Sequence, residues 1–252
     1  MISASKVKFV KSLGIQKFRK HHQQFIVEGP KMVDELLRSD FCPLEIFAVE
    51  SWHSDQKELL QKHGDAIVAV TDKEINRLSG LKSANKVLAT VKIPERKTFQ
   101  QIFNNPVIIL DGISDPGNLG TIIRIADWFG IHNIICSNDS VELYNPKVIQ
   151  ASMGSLFRVK VYYEELNRVF TKYGNNIPVF GTTLDGRNIY GTEIPSPVMI
   201  VIGSESHGIR PTVQKFLTHK ITIPSFGSAT ESLNAAVATG IVCSELMRNK
   251  IN

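Results

Sequence analysis

The sequence is poor in cysteine, lacks long apolar runs, and carries no acid in its first 20 residues. Its three cysteines, Cys42, Cys136 and Cys243, are widely separated and odd in number, which speaks against a disulfide framework or a paired-cysteine metal site. A reducing cytoplasm is the expected compartment. No apolar run approaches the ~18 residues of a membrane span, so no membrane partner is expected. The N-terminal MISASKVKFVKSLG has no apolar stretch before a cleavage site, so no secretory signal is expected. No GxGxxG, GxxxxGK[ST] or HExxH pattern occurs, which disfavours a dinucleotide-binding Rossmann domain, a P-loop and that type of zinc site. Low-complexity tracts and internal repeats are likewise missing.

The chain has 252 residues, of which 42% are hydrophobic and 21% charged, ordinary values for a globular protein. Its net charge of +5 is unevenly placed. Residues 1–100 hold 17 Lys and Arg against 12 Asp and Glu, whereas 101–252 hold 12 of each. Lys6, Lys8, Lys11, Lys17, Arg19 and Lys20 lie together, followed by His21 and His22. A one-sided basic segment suits a phosphate backbone, because binding releases condensed counterions. It also suits a solvated tail.

Short apolar runs alternate with amphipathic stretches. Strands are expected at Phe25–Val27, Leu44–Val49, Ile67–Val70 and Val87–Ile93. Helices are expected from Pro30 to about Ser39, over 55–63, and from a Thr71/Glu74 capping box to Gly80. Residues 94–106, polar and bounded by prolines, read as a linker between domains at 1–95 and 106–252. The second domain reads as α/β, with strands from Val107 and near Asn133–Cys136, Phe157–Tyr162, Val179–Thr182, Val198–Ile202 and Lys220–Ile223. Its last helix is expected from about Ser232 to Arg248. Continuous apolar strands such as VMIVIG indicate a mostly parallel sheet covered on both faces.

Ligands of such sheets sit beyond the carboxyl ends of the strands, where three loops stand out. Asp111–Gly120 opens a helix whose start, at Asn118 and Gly120, favours anions, with Arg124 six residues past Asn118. An ordinary helix start with a surface arginine explains the same residues. Gly203–Gly208 carries Glu205 and His207 between small residues. Ile223–Asn234 leads into the Ala-rich last helix, with Ser232 as its expected N-cap and Asn234 on its first turn. Together they describe a site of amides, Asn, Ser, Arg and Glu, with no metal.

These loops, in this order and spacing, resemble the SpoU (TrmH) family of RNA ribose methyltransferases, within the SPOUT superfamily. The matched patterns are DPGN-x-G-x-x-x-R at Asp115–Arg124, G-[SN]-E-x-x-G at Gly203–Gly208, and I-P-x(n)-S-L-N at Ile223–Asn234. Two departures occur. Ala235-Ala236 follow Asn234 where Val-Ser is frequent, and Ser206-His207 stand where Gly-x is frequent. The EGPKMVDELL stretch resembles an L30e-like RNA-binding domain.

The resemblance implies a C-terminal deep trefoil knot and a homodimer joined through that domain. It implies S-adenosylmethionine held near Thr182, Thr183, Ile202, Gly203, Ile223, Ser232 and Leu233. It assigns the reaction to Arg124, Asn118, Glu205, Ser232 and Asn234. It implies an enzyme that methylates a ribose 2′-hydroxyl, with 23S ribosomal RNA favoured over transfer RNA. The competing expectations are a non-catalytic RNA-binding protein and a small-molecule α/β enzyme.

Overall fold

A computed structural model describes residues 1–55, 61–81, 83–95, 98–99, 105–227 and 232–248. The chain forms two compact units, Met1–Arg96 with Tyr144–Phe157, and Lys97–Leu143 with Arg158–Asn252. Among the described residues no helix is long and apolar enough to cross a membrane.

In the first unit the basic segment is helical. Helix α1 (Ala4–Ser12) starts where the Ser3 side chain accepts from the Lys6 amide. Helix α2 (Gln16–His22) ends at Gln23, in the left-handed region at φ 52°. The buried Arg19 guanidinium donates to the Leu13 carbonyl at 2.8 Å and so satisfies the end of α1. Then come β1 (Gln24–Glu28), α3 (Pro30–Leu37), β2 (Pro43–Val49), α4 (Glu50–Asp55), β3 (Ile67–Val70), α5 (Asp72–Leu78) and β4 (Val87–Lys92).

The sheet order is β1-β4-β2-β3, with only β2 and β3 parallel. Strand β4 is central and, as its unbroken apolar run demands, buried nearly throughout. The Thr71/Glu74 capping box forms as expected, and α5 stops at Leu78 with Ser79 rather than Gly80 as its cap. The helix expected over 55–63 falls largely outside the described residues; Gln61–Ala66 is a 3₁₀ turn.

The second unit contains β5 (Val107–Asp111), α6 (Pro116–Trp128) and β6 (Asn133–Ser137). The chain then makes its excursion into the first unit as α7 (Pro146–Ser152). It returns as β7 (Lys160–Glu164), α8 (Leu166–Tyr173), β8 (Val179–Asn188), β9 (Met199–Gly203), α9 (Pro211–Gln214), β10 (His219–Thr222) and α10 (Ala235–Arg248). A sequence reading of two consecutive domains leaves this excursion out. It also places β7 too early, because Ser155–Phe157 form a 3₁₀ turn.

All pairs of this six-stranded sheet, ordered β10-β8-β9-β5-β6-β7, are parallel. Val107, Ile109, Val179, Met199 and Val201 form its core with Val169 and Phe170 of α8. Each such aliphatic side chain contributes roughly 1.5–3 kcal/mol on burial. Strands β5 and β9 are adjacent, so the loops that follow them leave the sheet side by side.

Strand β8 is longer than expected and is interrupted. Gly181 pairs with Lys220, but the next paired residue of β8, Arg187, faces Ile221. Residues 182–186 therefore arc out of the sheet at its carboxyl edge. Gly186 permits this, because a Cβ there would collide with the Ile221 backbone.

Candidate functional site

Each of the three loops supplies one polar side chain to a shared network. Asp115 caps α6, accepting from the Asn118 amide at 2.8 Å and fixing the first turn. The Asn118 side-chain amide then donates to Glu205 Oε1 at 2.5 Å. Asn234 Nδ2 donates to the same oxygen at 2.8 Å and to Asn118 Oδ1 at 2.9 Å. The Ala235 backbone amide adds a longer bond to Glu205 Oε1 at 3.3 Å. One carboxylate oxygen thus joins residues separated by up to 116 positions. Bonds to an ionised acceptor are the stronger kind.

Asn234 has a second task. Its Oδ1 accepts from Ala236 and Val237 at 2.9 and 3.2 Å, which makes it the N-cap of α10. The expected cap, Ser232, lies two residues earlier, outside the helix and exposed; this expectation is corrected. Asn234 wins because its carbonyl oxygen can reach both free amides of the first turn while its NH₂ group faces the network.

The Glu205 loop is held tightly. Ser204 and Gly208 exchange backbone bonds of 3.2 and 2.8 Å. Gly203 is required there, since a Cβ would land on the Gly208 carbonyl carbon and the Ile209 nitrogen. His207 is exposed, shares a 2.7 Å bond with Ser206 Oγ, and takes no part in the network.

Beneath these loops lies an ion pair that sequence reasoning missed. Asp111, fully buried at the end of β5, accepts from the Arg210 amide at 2.8 Å, Nε at 2.7 Å and Nη2 at 2.5 Å. Arg210 Nη1 continues to Asp139 Oδ2 at 2.9 Å. The loops after β5, β6 and β9 are therefore tied by one guanidinium. The Arg210 pKa is raised, chiefly by its hydrogen bond to Asp111. Hydrogen bonding from Ser137 is the main cause holding the Asp139 carboxyl below its ordinary value. The available signal was a carboxylate ending an otherwise apolar strand, which needs a buried partner.

Arg124 is exposed on α6 and makes no hydrogen bond or ion pair among the described residues. Six residues past Asn118, it sits about 120° around the helix from it and does not join the network. The residues expected to hold a cofactor fall on the flanking segments. Ile202 and Gly203 end β9, and Ile223 follows β10. Thr182 and Thr183 begin the β8 arc, and Ser232 and Leu233 precede α10. Thr182 donates to the Val201 carbonyl at 3.1 Å. Thr183 Oγ1 is buried, and its polar interaction is with the Asp185 carboxyl, which Lys220 first and Thr183 second hold below its ordinary value.

Among the described residues Ile223, Phe226 and Gly227 donate no backbone hydrogen bond. Leu184 and Phe226 are 80% and 99% exposed. Backbone amides without a donor bond among the described residues, beside bare apolar side chains, suit a ligand with a flat ring and polar edges, as S-adenosylmethionine has.

Comparison with known proteins agrees with this geometry. Residues 105–244 match the SpoU rRNA Methylase family, and residues 4–89 match the MRM3-like substrate binding domain. The chain is 30% identical over 245 residues, 94% of each protein, to the 23S rRNA (guanosine(2553)-2′-O)-methyltransferase RlmP of Bacillus subtilis. A protein from Porphyromonas gingivalis assigned to the TrmH family of RNA methyltransferases superposes with a TM-score of 0.89, at 35% identity and 99% coverage of both chains. An AdoMet-bound rRNA methyltransferase from Sinorhizobium meliloti shares the fold, with a TM-score of 0.87 at 24% identity over 99% of this chain and 97% of its own. The chain belongs to the SpoU rRNA Methylase family.

Proposed function

We propose that this protein transfers the methyl group of S-adenosylmethionine to a ribose 2′-hydroxyl of 23S ribosomal RNA. The observation that carries the reading is the meeting of Asn118, Glu205 and Asn234 at the carboxyl edge of a parallel sheet. The β8 arc and the residues after β10 follow neighbouring strands of that same parallel sheet. In this reading Thr182, Thr183, Ile202, Gly203, Ile223, Ser232 and Leu233 hold the donor, mostly through backbone groups. The sulfonium supplies the electrophilic methyl carbon.

Asn118, Glu205 and Asn234 set the loops around the reacting hydroxyl, with Ser232 beside them. A guanidinium stays protonated and cannot take the proton, so Arg124 acts as a cation: it aligns an RNA phosphate and stabilises the alkoxide left as the hydroxyl loses its proton to water, and the methyl then passes to that oxygen while the sulfur departs as a neutral thioether. Its lack of a hydrogen-bond or ion-pair partner among the described residues supports that role. Holding methyl and hydroxyl in line supplies much of the rate.

The finer fold assignments belong to the same reading: the trefoil knot in the second unit, the L30e-like character of the first, and a homodimer through the second. Trp128 on α6 is 84% exposed and Val237 on α10 is 52% exposed, and these two helices pack together. Large apolar side chains left bare on a packed helix pair suit a second subunit. The few, widely separated cysteines suit the cytoplasm.

The test is transfer from tritiated S-adenosylmethionine to 23S ribosomal RNA and to transfer RNA, with mass spectrometry of the digested nucleosides. A 2′-O-methylnucleoside in ribosomal RNA is expected. Arg124→Ala should abolish transfer and leave calorimetric donor binding intact. Methylation confined to transfer RNA or to a base would refute the proposal.

A further inference from the structure

We infer that the α1–α2 hairpin is the surface on which an unpaired stretch of RNA is held, its lysines on phosphates and its ring cluster against a base. This rests on the reading above that RNA is the substrate.

No Asp or Glu occurs between Met1 and Val27. Two of the six clustered basic residues are already engaged. Lys6 pairs with Glu45 at 2.8 and 3.0 Å, and Arg19 is buried against the Leu13 carbonyl. The other four, Lys8, Lys11, Lys17 and Lys20, are exposed and make no ion pair among the described residues. Lys8 and Lys11 are three apart on α1, and Lys17, Lys20 and His21 follow the i, i+3, i+4 spacing on α2. Each set therefore presents one helix face. Like charges held close without acids between them raise one another's energy, and a polyanion relieves this.

The same hairpin carries a built ring cluster. Phe18, 37% exposed, stacks on His22 at 6.5 Å with 12° between planes. Phe9 meets His22 edge-on at 5.0 Å, and His21 does so at 4.7 Å. The rings beneath Phe18 fix its orientation, so little order remains to be imposed when a base stacks on it. Basic side chains around aromatic ones are the pattern that grips single strands. A duplex conceals its base faces and would use the lysines alone. A membrane surface is a poorer fit, because the exposed apolar side chains here are Ile15, between the helices, and Phe18, on a helix of only seven residues.

The experiment measures anisotropy of a fluorescein-labelled 20-nucleotide single-stranded RNA and of the corresponding blunt duplex, using the full chain over a series of KCl concentrations. The variant combining Lys8→Ala, Lys11→Ala, Lys17→Ala and Lys20→Ala should lower the slope of log K against log salt by about 0.7 for each phosphate no longer neutralised. Phe18→Ala should weaken single-strand binding roughly tenfold, leave the slope and the duplex unchanged, and be rescued by Phe18→Trp. Circular dichroism checks folding.

A wild-type slope in the four-lysine variant would overturn the proposal. So would an equal loss of duplex and single strand in Phe18→Ala, or lysine-dependent binding to phosphatidylserine vesicles tighter than to RNA. Calorimetry with S-adenosylmethionine separates the two readings. Absent donor binding with hairpin-dependent RNA binding removes the enzyme reading alone. Donor binding and methyl transfer with RNA affinity indifferent to the hairpin removes this inference alone.

Discussion

Replacing Glu205 by alanine removes the acceptor that serves Asn118, Asn234 and the Ala235 amide at once. A hydrogen bond to a charged group contributes about 1.5–3 kcal/mol when desolvated. Glu205 is exposed, and screening reduces that figure, so the set should contribute about 1–2 kcal/mol. The freed side chains can turn to solvent, and the fold should barely notice. The loss falls on the relative placement of three loops, hence on the transition state. A cost of that size is a roughly 5- to 30-fold fall in kcat/KM. The assay is tritium transfer to 23S ribosomal RNA, with the thermal midpoint as control. A double-mutant cycle with Asn118→Ala should give a coupling of about 1 kcal/mol. Wild-type kcat/KM in Glu205→Ala, or strict additivity in the cycle, would refute the reasoning.

Other perturbations test neighbouring parts. Gly203→Ala pushes a methyl into the Gly208 carbonyl and should break the Ser204–Gly208 pair, weakening donor binding roughly tenfold in calorimetry while circular dichroism stays normal; unchanged affinity contradicts the close-approach argument. Asp111→Ala strips Arg210 of its main partner. Because the Arg210 side chain is 42% exposed, the cost should be about 2 kcal/mol, below that of a fully buried pair, and seen as a midpoint lowered by roughly 4–8 °C. Backbone hydrogen bonds from Thr71 and Ile2 pull the Glu74 pKa from 4.5 to about 2. Its folded pKa is depressed, so its contribution is complete above 4.5 and lost as pH falls toward 2. Glu74→Ala should therefore show a smaller midpoint drop between pH 5 and pH 2; an equal drop would refute the assignment.

What could be read from the sequence was local or strongly periodic. The apolar runs of β5 and β9 announced buried parallel strands, and Thr71 with Glu74 announced a helix start. The three loops were found because they follow such strands. Their meeting through one Glu205 oxygen could not be read, since pattern carries no distance. Asp111 and Arg210 lie 99 residues apart, and nothing local joins them. The choice of Asn234 over Ser232 as cap depended on a partner across the site. The β8 arc was missed because TTLDGRN has neither strand alternation nor helical period, and its shape is imposed by β10.

The excursion at Tyr144–Phe157 bears on how the protein is made. Phe25 stacks on Tyr144 at 4.5 Å, Phe41 meets Phe157 at 5.1 Å, and Gln150 donates to the Glu28 carbonyl. A nascent chain halted at residue 96 would hold every strand of the smaller sheet yet lack the aromatic rings that seal it. That body reaches its final stability only after roughly sixty further residues have left the ribosome, by which time the first two strands of the larger sheet are also waiting for partners.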